Sequence, residues 1–150
     1  MRILGIDYGT KRLGLALSDE DEILASPLSV RLRTTLADDI RFLASLVRGR
    51  KVQEIVLGLP LNMDGSQGEM AREVQEFAAE LRSGCNVPVI LFDERLTTSE
   101  AERVLIQADI SRKKRKNLRD GLAAVLILQA YLDSQRSDID IVDDDEETAQ

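Results

Sequence analysis

The sequence predicts an α/β fold built on a mixed sheet, with its elements in the order βββαβαβαα. Three observations predict it. Residues 2–8 and 11–18 are short apolar-rich runs joined by a tight turn at Tyr8-Gly9-Thr10, which reads as a pair of strands. Two later runs, "EIVLGLP" at 54–60 and "VPVILFDE" at 87–94, are short, continuous and apolar, as strands buried on both faces of a parallel sheet are. Each is followed by a segment with a helix-start signature, so leading strands give way to strand–helix alternation and the helices cover the sheet faces.

The remaining elements follow from local chemistry. "EILASPLSV" at 22–30 reads as a third strand, and Pro27 places it at an edge or a bulge. Thr34 or Thr35 opens a helix that carries Leu36, Ile40, Leu43, Leu46 and Val47 at helical spacing. After the loop "LNMDGS", Ser66 and Glu69 have the spacing of a capping box for a helix over about 67–82. Thr97 and Glu100 repeat that spacing for a helix to about residue 107. "DISRKKRKN" is a polar, basic loop, and residues 118–134 form a last helix that is apolar around most of its circumference.

A chain of 150 residues is expected to form one domain with a real core. No apolar stretch approaches the length of about 18 residues that a membrane span requires, and the first strand begins without a secretory pattern. No membrane partner and a cytoplasmic location are therefore expected. The chain has no His, and Cys85 stands alone, which argues against an internal disulfide, Ser-His or Cys-His catalysis and the usual zinc sites. Chemistry is left to carboxylates, hydroxyls, Lys and Arg, or a hard metal ion.

The net charge of −7 is a property of one end. Seven acids follow Arg136, namely Asp138, Asp140, Asp143, Asp144, Asp145, Glu146 and Glu147, with no base among them. The body then carries equal numbers of acids and bases. Residues 1–135 read as the folded domain and 136–150 as an acidic disordered tail. The tail either solubilises the chain or screens a basic site of the same chain by mimicking nucleic acid.

Three acidic positions stand where a core has no use for them. Asp7 ends the first strand, Asp93-Glu94 ends the last, and Asp120 lies in the first turn of the last helix. Parallel strands bring their C-terminal ends to one sheet edge, so Asp7 and Asp93-Glu94 can converge there. Asp120 heads a stripe of small and apolar residues at 123, 124, 127 and 131, which turns it toward the sheet. Clustered carboxylates repel, and a divalent cation relieves that cost. Oxygen donors alone suit Mg²⁺ or Mn²⁺. Each acid also has a plainer reading, as a turn former at Asp7, a partner of Arg95 at Asp93 or Glu94, and a helix cap at Asp120.

Basic residues collect near the same edge. Lys11 and Arg12 follow Asp7, Arg95 follows Glu94, and Arg112, Lys113, Lys114, Arg115, Lys116 and Arg119 lead into the last helix. Acids for a metal beside bases for phosphates suit a nucleic acid that is held by its backbone and cut. Aromatic residues are few, so structured nucleic acid fits better than stacked single strands. Tyr8 is the one candidate stacking ring, unless it packs under its turn. Gly65 and Ser66 could offer N–H groups and a hydroxyl to a phosphate at a helix N-terminus, or form a plain strand-to-helix turn.

"GIDYGTKRLGLALSD", "GLPLNMDGS", "FDERLTT" with "SEAE" downstream, and Asp120 with "AAVLILQAYLD" together resemble the YqgF/RuvX family. Its members carry provisional names as Holliday junction resolvases or pre-16S rRNA nucleases. The resemblance spans roughly residues 1–135. It implies an RNase H-like fold with a five-stranded mixed sheet whose first three strands are antiparallel. It also implies that Asp7, Glu94 and Asp120 are the catalytic, metal-holding acids, with Asp93 an adjoining candidate, and that a lysine precedes the last acid, for which Lys116 and Arg119 are candidates. More distant RuvC-like resolvases carry a further acid on the last helix, where this chain has Ala123. The expected function is a metal-dependent hydrolase of phosphodiesters, processing the 5′ end of pre-16S rRNA in ribosome biogenesis. The alternatives are a resolvase acting as a dimer on four-way DNA and a non-catalytic nucleic-acid-binding module. A monomer or weak homodimer is expected. The Asp7-Gly9-Thr10 turn also fits the phosphate hairpin of sugar kinases and actin, which need two such domains.

Overall fold

In the computed structural model, which describes residues 1–97 and 121–136, five strands form one sheet in the order β3-β2-β1-β4-β5. β1 (Arg2–Tyr8), β2 (Arg12–Ser18) and β3 (Ala25–Leu32) pair antiparallel, and β4 (Val52–Leu59) and β5 (Val89–Asp93) run parallel to β1. Helices α1 (Leu36–Gly49) and α2 (Glu69–Cys85) cover one face, and a final helix at 121–136 covers the other. The region after Thr97, the basic run 112–116, Arg119, Asp120 and the acidic tail lie outside the described residues.

The alternation of side chains along a strand explains why the central strands are apolar throughout. Leu4, Ile6, Ile55 and Leu57 join Leu43 and Val47 of α1 and Val74, Phe77 and Leu81 of α2 in one buried cluster. Ile3 and Val56, pointing the other way, join Ala124, Ile127, Leu128 and Leu132 of the final helix. Each such aliphatic side chain contributes about 1.5–3 kcal/mol on burial. The exposed Arg41–Asp38 and Arg136–Asp133 ion pairs contribute about 1 kcal/mol at most. Apolar burial therefore holds the layers together.

The final helix runs against the direction of β1. Tyr131 donates its hydroxyl to Glu54, which stands beside Ile3 in the sheet. One turn or two earlier, Ala124 and Leu128 lie on Gly5, where a Cβ would come within 2.8 Å of Leu128 Cβ and 3.2 Å of the Ala124 carbonyl oxygen. Gly121 then reaches Val30, which lies in the cross-strand row of Gly14 and Asp7. Glycine at position 5 thus lets the helix approach closely, and its first described residue, Gly121, arrives at the level of Asp7.

Boundaries differ from the sequence reading where side chains capture the backbone. β3 begins at Ala25 and not at residue 22, because Asp19 accepts the N–H groups of Ile23 and Leu24 and closes a turn with Glu22 at φ 60°. Pro27 lies on the edge strand and beside an irregularity between Leu15 and Ala16. Thr35 caps α1 by accepting the Asp38 N–H, a bond worth about 1 kcal/mol. α2 starts at Glu69 behind Gly68, with no side-chain cap, so the capping box expected from Ser66 does not form. β5 ends at Asp93, and Glu94 opens a 3₁₀ turn (Glu94–Leu96). The final helix continues to Arg136.

One buried charge was not expected. Asp39 on α1 is fully buried and accepts from Arg31 at 3.1 Å, Arg33 at 3.0 Å and the Thr34 N–H at 3.3 Å. Arg33 also donates to the Gly9 carbonyl at 3.1 Å and stacks over Tyr8. The network ties α1 to the end of β3 and to the β1–β2 turn. Burial alone pushes the Asp39 carboxyl up, but Arg33, the Thr34 N–H and Arg31 outweigh it, and the group sits below the usual carboxylate range. Its stabilisation is complete above the unfolded value of about 3.9 and fades as pH falls through the folded one. Asp39→Ala leaves two arginines without their partner and is expected to lower unfolding free energy by about 3–5 kcal/mol in urea titrations at neutral pH. A loss below about 1 kcal/mol would show that the network is dispensable.

Candidate active site

Two carboxylates stand at the C-terminal edge of the parallel strands, where the charge of Asp7 acts on Glu94. Asp7 stands two residues after Gly5 on β1, so it shares the face covered by the final helix. Glu94 follows β5 but folds back over β4. A Cβ placed on Gly58 would lie 2.7 Å from Glu94 Oε1, 3.1 Å from its Cγ and 2.6 Å from Ile127 Cδ1. Because Ile6 pairs with Leu57, the residues that follow them, Asp7 and Gly58, stand side by side near the sheet edge, with Gly58 still paired to Phe92. The missing side chain at Gly58 is the space through which Glu94 approaches Asp7.

Both groups are half-buried, and among the described residues neither carboxylate receives a hydrogen bond or an ion pair. Burial pushes the Asp7 carboxyl up. Burial, then the charges of Asp7 and of Asp93, push Glu94 up. The pair is therefore under electrostatic load, which protons or a cation can relieve. Two hard oxygen donors without nitrogen or sulfur fit Mg²⁺ or Mn²⁺. Among the described residues no group of three or more His, Cys, Asp or Glu is arranged to hold a metal, so these two acids form a partial set.

Asp93 stands apart from that pair. It accepts from Arg95 Nε at 3.1 and 3.0 Å and from Nη2 at 2.8 Å, and these bonds hold its carboxyl below the usual range. Arg95 also donates to the Asn62 and Met63 carbonyls, at 3.5 and 3.3 Å. The guanidinium thus fastens the end of β5 to the β4–α2 loop. That loop is closed on itself. The Gly65 N–H donates to the Asn62 carbonyl, and Ser66 donates both its N–H and its hydroxyl to Asp64. The N–H groups that could have cradled a phosphate are already bonded. Tyr8 is likewise engaged, with its ring centroid 5.0 Å from that of Phe77 and Arg33 4.7 Å above it.

Lys11 and Arg12 are exposed in and just after the β1–β2 turn, close in sequence to Asp7. Arg112, Lys113, Lys114, Arg115, Lys116, Arg119 and Asp120 fall outside the described residues. Ala124, Ile127 and Tyr131 are buried as the helical stripe required, and at Ala123 the helix offers no oxygen donor.

Comparison with known proteins supplies the family. The RuvX family, described as Holliday junction resolvase, matches residues 1–134. The chain belongs to the RuvX family. A relative in Syntrophomonas wolfei, provisionally named a pre-16S rRNA nuclease, is 51% identical over 133 residues, covering 89% of this chain and 94% of the relative. A second relative of the same provisional name, from Halalkalibacterium halodurans, is 49% identical over 138 residues, covering 91% and 99%. Among solved structures, T. thermophilus RuvC in complex with a Holliday junction substrate aligns at a TM-score of 0.56 and 16% identity, over 91% of this chain and 96% of that one. The fowlpox virus resolvase in complex with junction DNA aligns at 0.52 and 15%, over 90% and 99%. These likenesses show the RNase H-like fold.

In this RuvX-family chain, three participants escaped the sequence reading. Gly58 was visible only as a strand exit, although a glycine before a carboxylate-bearing edge is a signal of close approach. Asn62 offers a backbone carbonyl, which leaves no trace in sequence. Asp39 has the position of an ordinary first-turn acid that favours the helix dipole. Raised carboxyls weaken a fold as pH climbs from their unfolded to their folded values, because the native state then holds the extra protons. Without divalent cations at neutral pH, Asp7→Asn is therefore expected to raise the melting temperature by about 2–4 °C, the shift that about 1 kcal/mol produces at this size. The gain should vanish at pH values below the unfolded carboxylate range. A lowered melting temperature at neutral pH would contradict this electrostatic reading.

Proposed function

We propose that this chain is a metal-dependent nuclease that hydrolyses phosphodiesters of structured RNA, with the precursor of 16S rRNA as substrate. One observation carries the reading: Asp7 and Glu94 share the rim at the strand ends, half-buried, within reach of each other's charge and without donors among the described residues. Catalytic roles fall to Asp7, Glu94 and Asp120, which would hold Mg²⁺ or Mn²⁺. Gly121, beside Val30 in the row of Asp7, supports including Asp120. Asp93 is left out of the set because Arg95 holds both its oxygens. When bound, the cation supplies activation of water and stabilisation of the leaving oxygen.

The chain's own residues supply position and field. Lys11, Arg12 and the cluster Arg112, Lys113, Lys114, Arg115, Lys116 with Arg119 hold phosphates on either side of the scissile one. Arg95 orients Glu94 through Asp93 and the β4–α2 loop. Water attacks phosphorus in line with the departing oxygen, forming one P–O bond as the other breaks. The names of the relatives support the RNA substrate, and the family description supports a second reading, cleavage of four-way DNA by a dimer. Absence of a donor at Ala123 supports a third, binding without cleavage.

One assay separates them. Labelled precursor RNA and four-way DNA are incubated with Mg²⁺ or Mn²⁺ and wild type, Asp7→Asn or Glu94→Gln. The proposal expects RNA cleavage, reduced about 100-fold or more in each variant, since even the partners of metal ligands cost about 10–100-fold. Cleavage of DNA junctions alone would favour the resolvase. Binding by all three proteins without cleavage would favour the module.

A further inference from the structure

The rim opposite the carboxylates carries a cationic hollow of about 760 Å³ between the start of β1, the end of α1 and the start of β4. Arg2, Arg48, Arg50 and Lys51 line it, and Glu20 is its one acid. Arg48, Arg50 and Lys51 are exposed, and no side chain among the four has a hydrogen bond or ion pair with another described residue. The turn that presents them is held by its backbone. The Arg50 N–H donates to the Leu46 carbonyl, the Lys51 N–H to Arg48 and the Arg2 N–H to Lys51, with Lys51 at φ 55°. A non-glycine residue in the left-handed region is uncommon, and here it closes a stretch of four residues in which Arg48, Arg50 and Lys51 line one space. Several arginines elsewhere are paired, Arg31 and Arg33 with Asp39, Arg41 with Asp38 and Arg95 with Asp93.

From this we infer that the hollow is a second docking site for the phosphate backbone of the RNA, remote from the cleaved bond. The inference rests on the nuclease reading above. Arg2 and Asp7 are five residues apart on one strand, about 17 Å, and lie at opposite ends of the sheet. One arm of a folded RNA would sit at the carboxylates and another on the hollow. Guanidinium forks with a neighbouring ammonium, on a turn of fixed shape, suit phosphate oxygens. This selects a folded substrate over a short linear one, because a fragment carrying the cleavage point alone cannot reach both rims.

The test measures binding of folded precursor rRNA at several salt concentrations, in an Asp7→Asn background. The triple variant R48Q/R50Q/K51Q is compared with its parent and with Arg41→Gln, an exposed cation outside the hollow. The slope of log Kobs against log salt should shrink by about 2 in the triple variant, at about 0.7–0.9 per lost phosphate contact, and remain unchanged in the Arg41 control. Melting temperatures of the three proteins check folding, and Arg48→Gln alone should give a smaller reduction of the same kind. An unchanged slope, an equal reduction in the control, or no binding of the RNA at all would overturn the inference. Cleavage by wild type is read separately. A reduced slope without any cleavage keeps the docking site and removes the nuclease, whereas cleavage with an unchanged slope does the reverse.

Discussion

The arrangement of this domain follows from one electrostatic constraint: two carboxylates share a half-buried rim, the charge of one acts on the other, and among the described residues neither receives a hydrogen-bond donor. Such a placement is unfavourable unless something positive arrives, and both groups sit above their ordinary range as a result. The rest of the fold serves to impose it. β1 delivers Asp7 at its end, the bare surface of Gly58 admits Glu94 from the neighbouring strand, and Ile127 closes the space from the helix side. Close approach of the final helix at Gly5 brings Gly121 to the same rim.

Other acids of the chain are treated differently, and the contrast is informative. Asp39 is more deeply buried than either rim carboxylate, yet three donors converge on it. Asp93, adjacent to Glu94 in sequence, is gripped by Arg95. Compensation is therefore built at Asp39 and Asp93, whereas among the described residues Asp7 and Glu94 receive none. Withholding it costs stability. Proteins keep such costs where function depends on them, and a site that titrates abnormally through burial and a named charge partner is a functional candidate on physical grounds.

Much of this could be read in the sequence because it depends on local periodicity and chain direction. Short apolar runs at β4 and β5, the tight turn after Tyr8 and the cap at Thr35 each follow from residue type and spacing, and the convergence of Asp7 with Glu94 follows from parallel strands sharing an edge. What could not be read are contacts made by backbone or by absence. Ser66 has the spacing of a cap, but Asp64, two residues away, competes for its N–H and hydroxyl and wins. Tyr8 beside Asp7 looked available for stacking, while Phe77 and Arg33, distant in sequence, already enclose it. Arg95 suggested a phosphate ligand, whereas its fork matches Asp93 and the carbonyls of Asn62 and Met63. The basic turn at 48–51 was unremarkable until the fold placed Arg2 beside it.

Titration of Mn²⁺ into the protein, followed by loss of the free-ion paramagnetic resonance signal, tests the central claim most directly, because it asks whether these two acids share a cation without requiring any substrate. The account predicts a saturable site in wild type whose affinity falls about 10-fold or more in both Asp7→Asn and Glu94→Gln, with protons released on binding at mildly acidic pH. Equal Mn²⁺ affinity in all three proteins would contradict it.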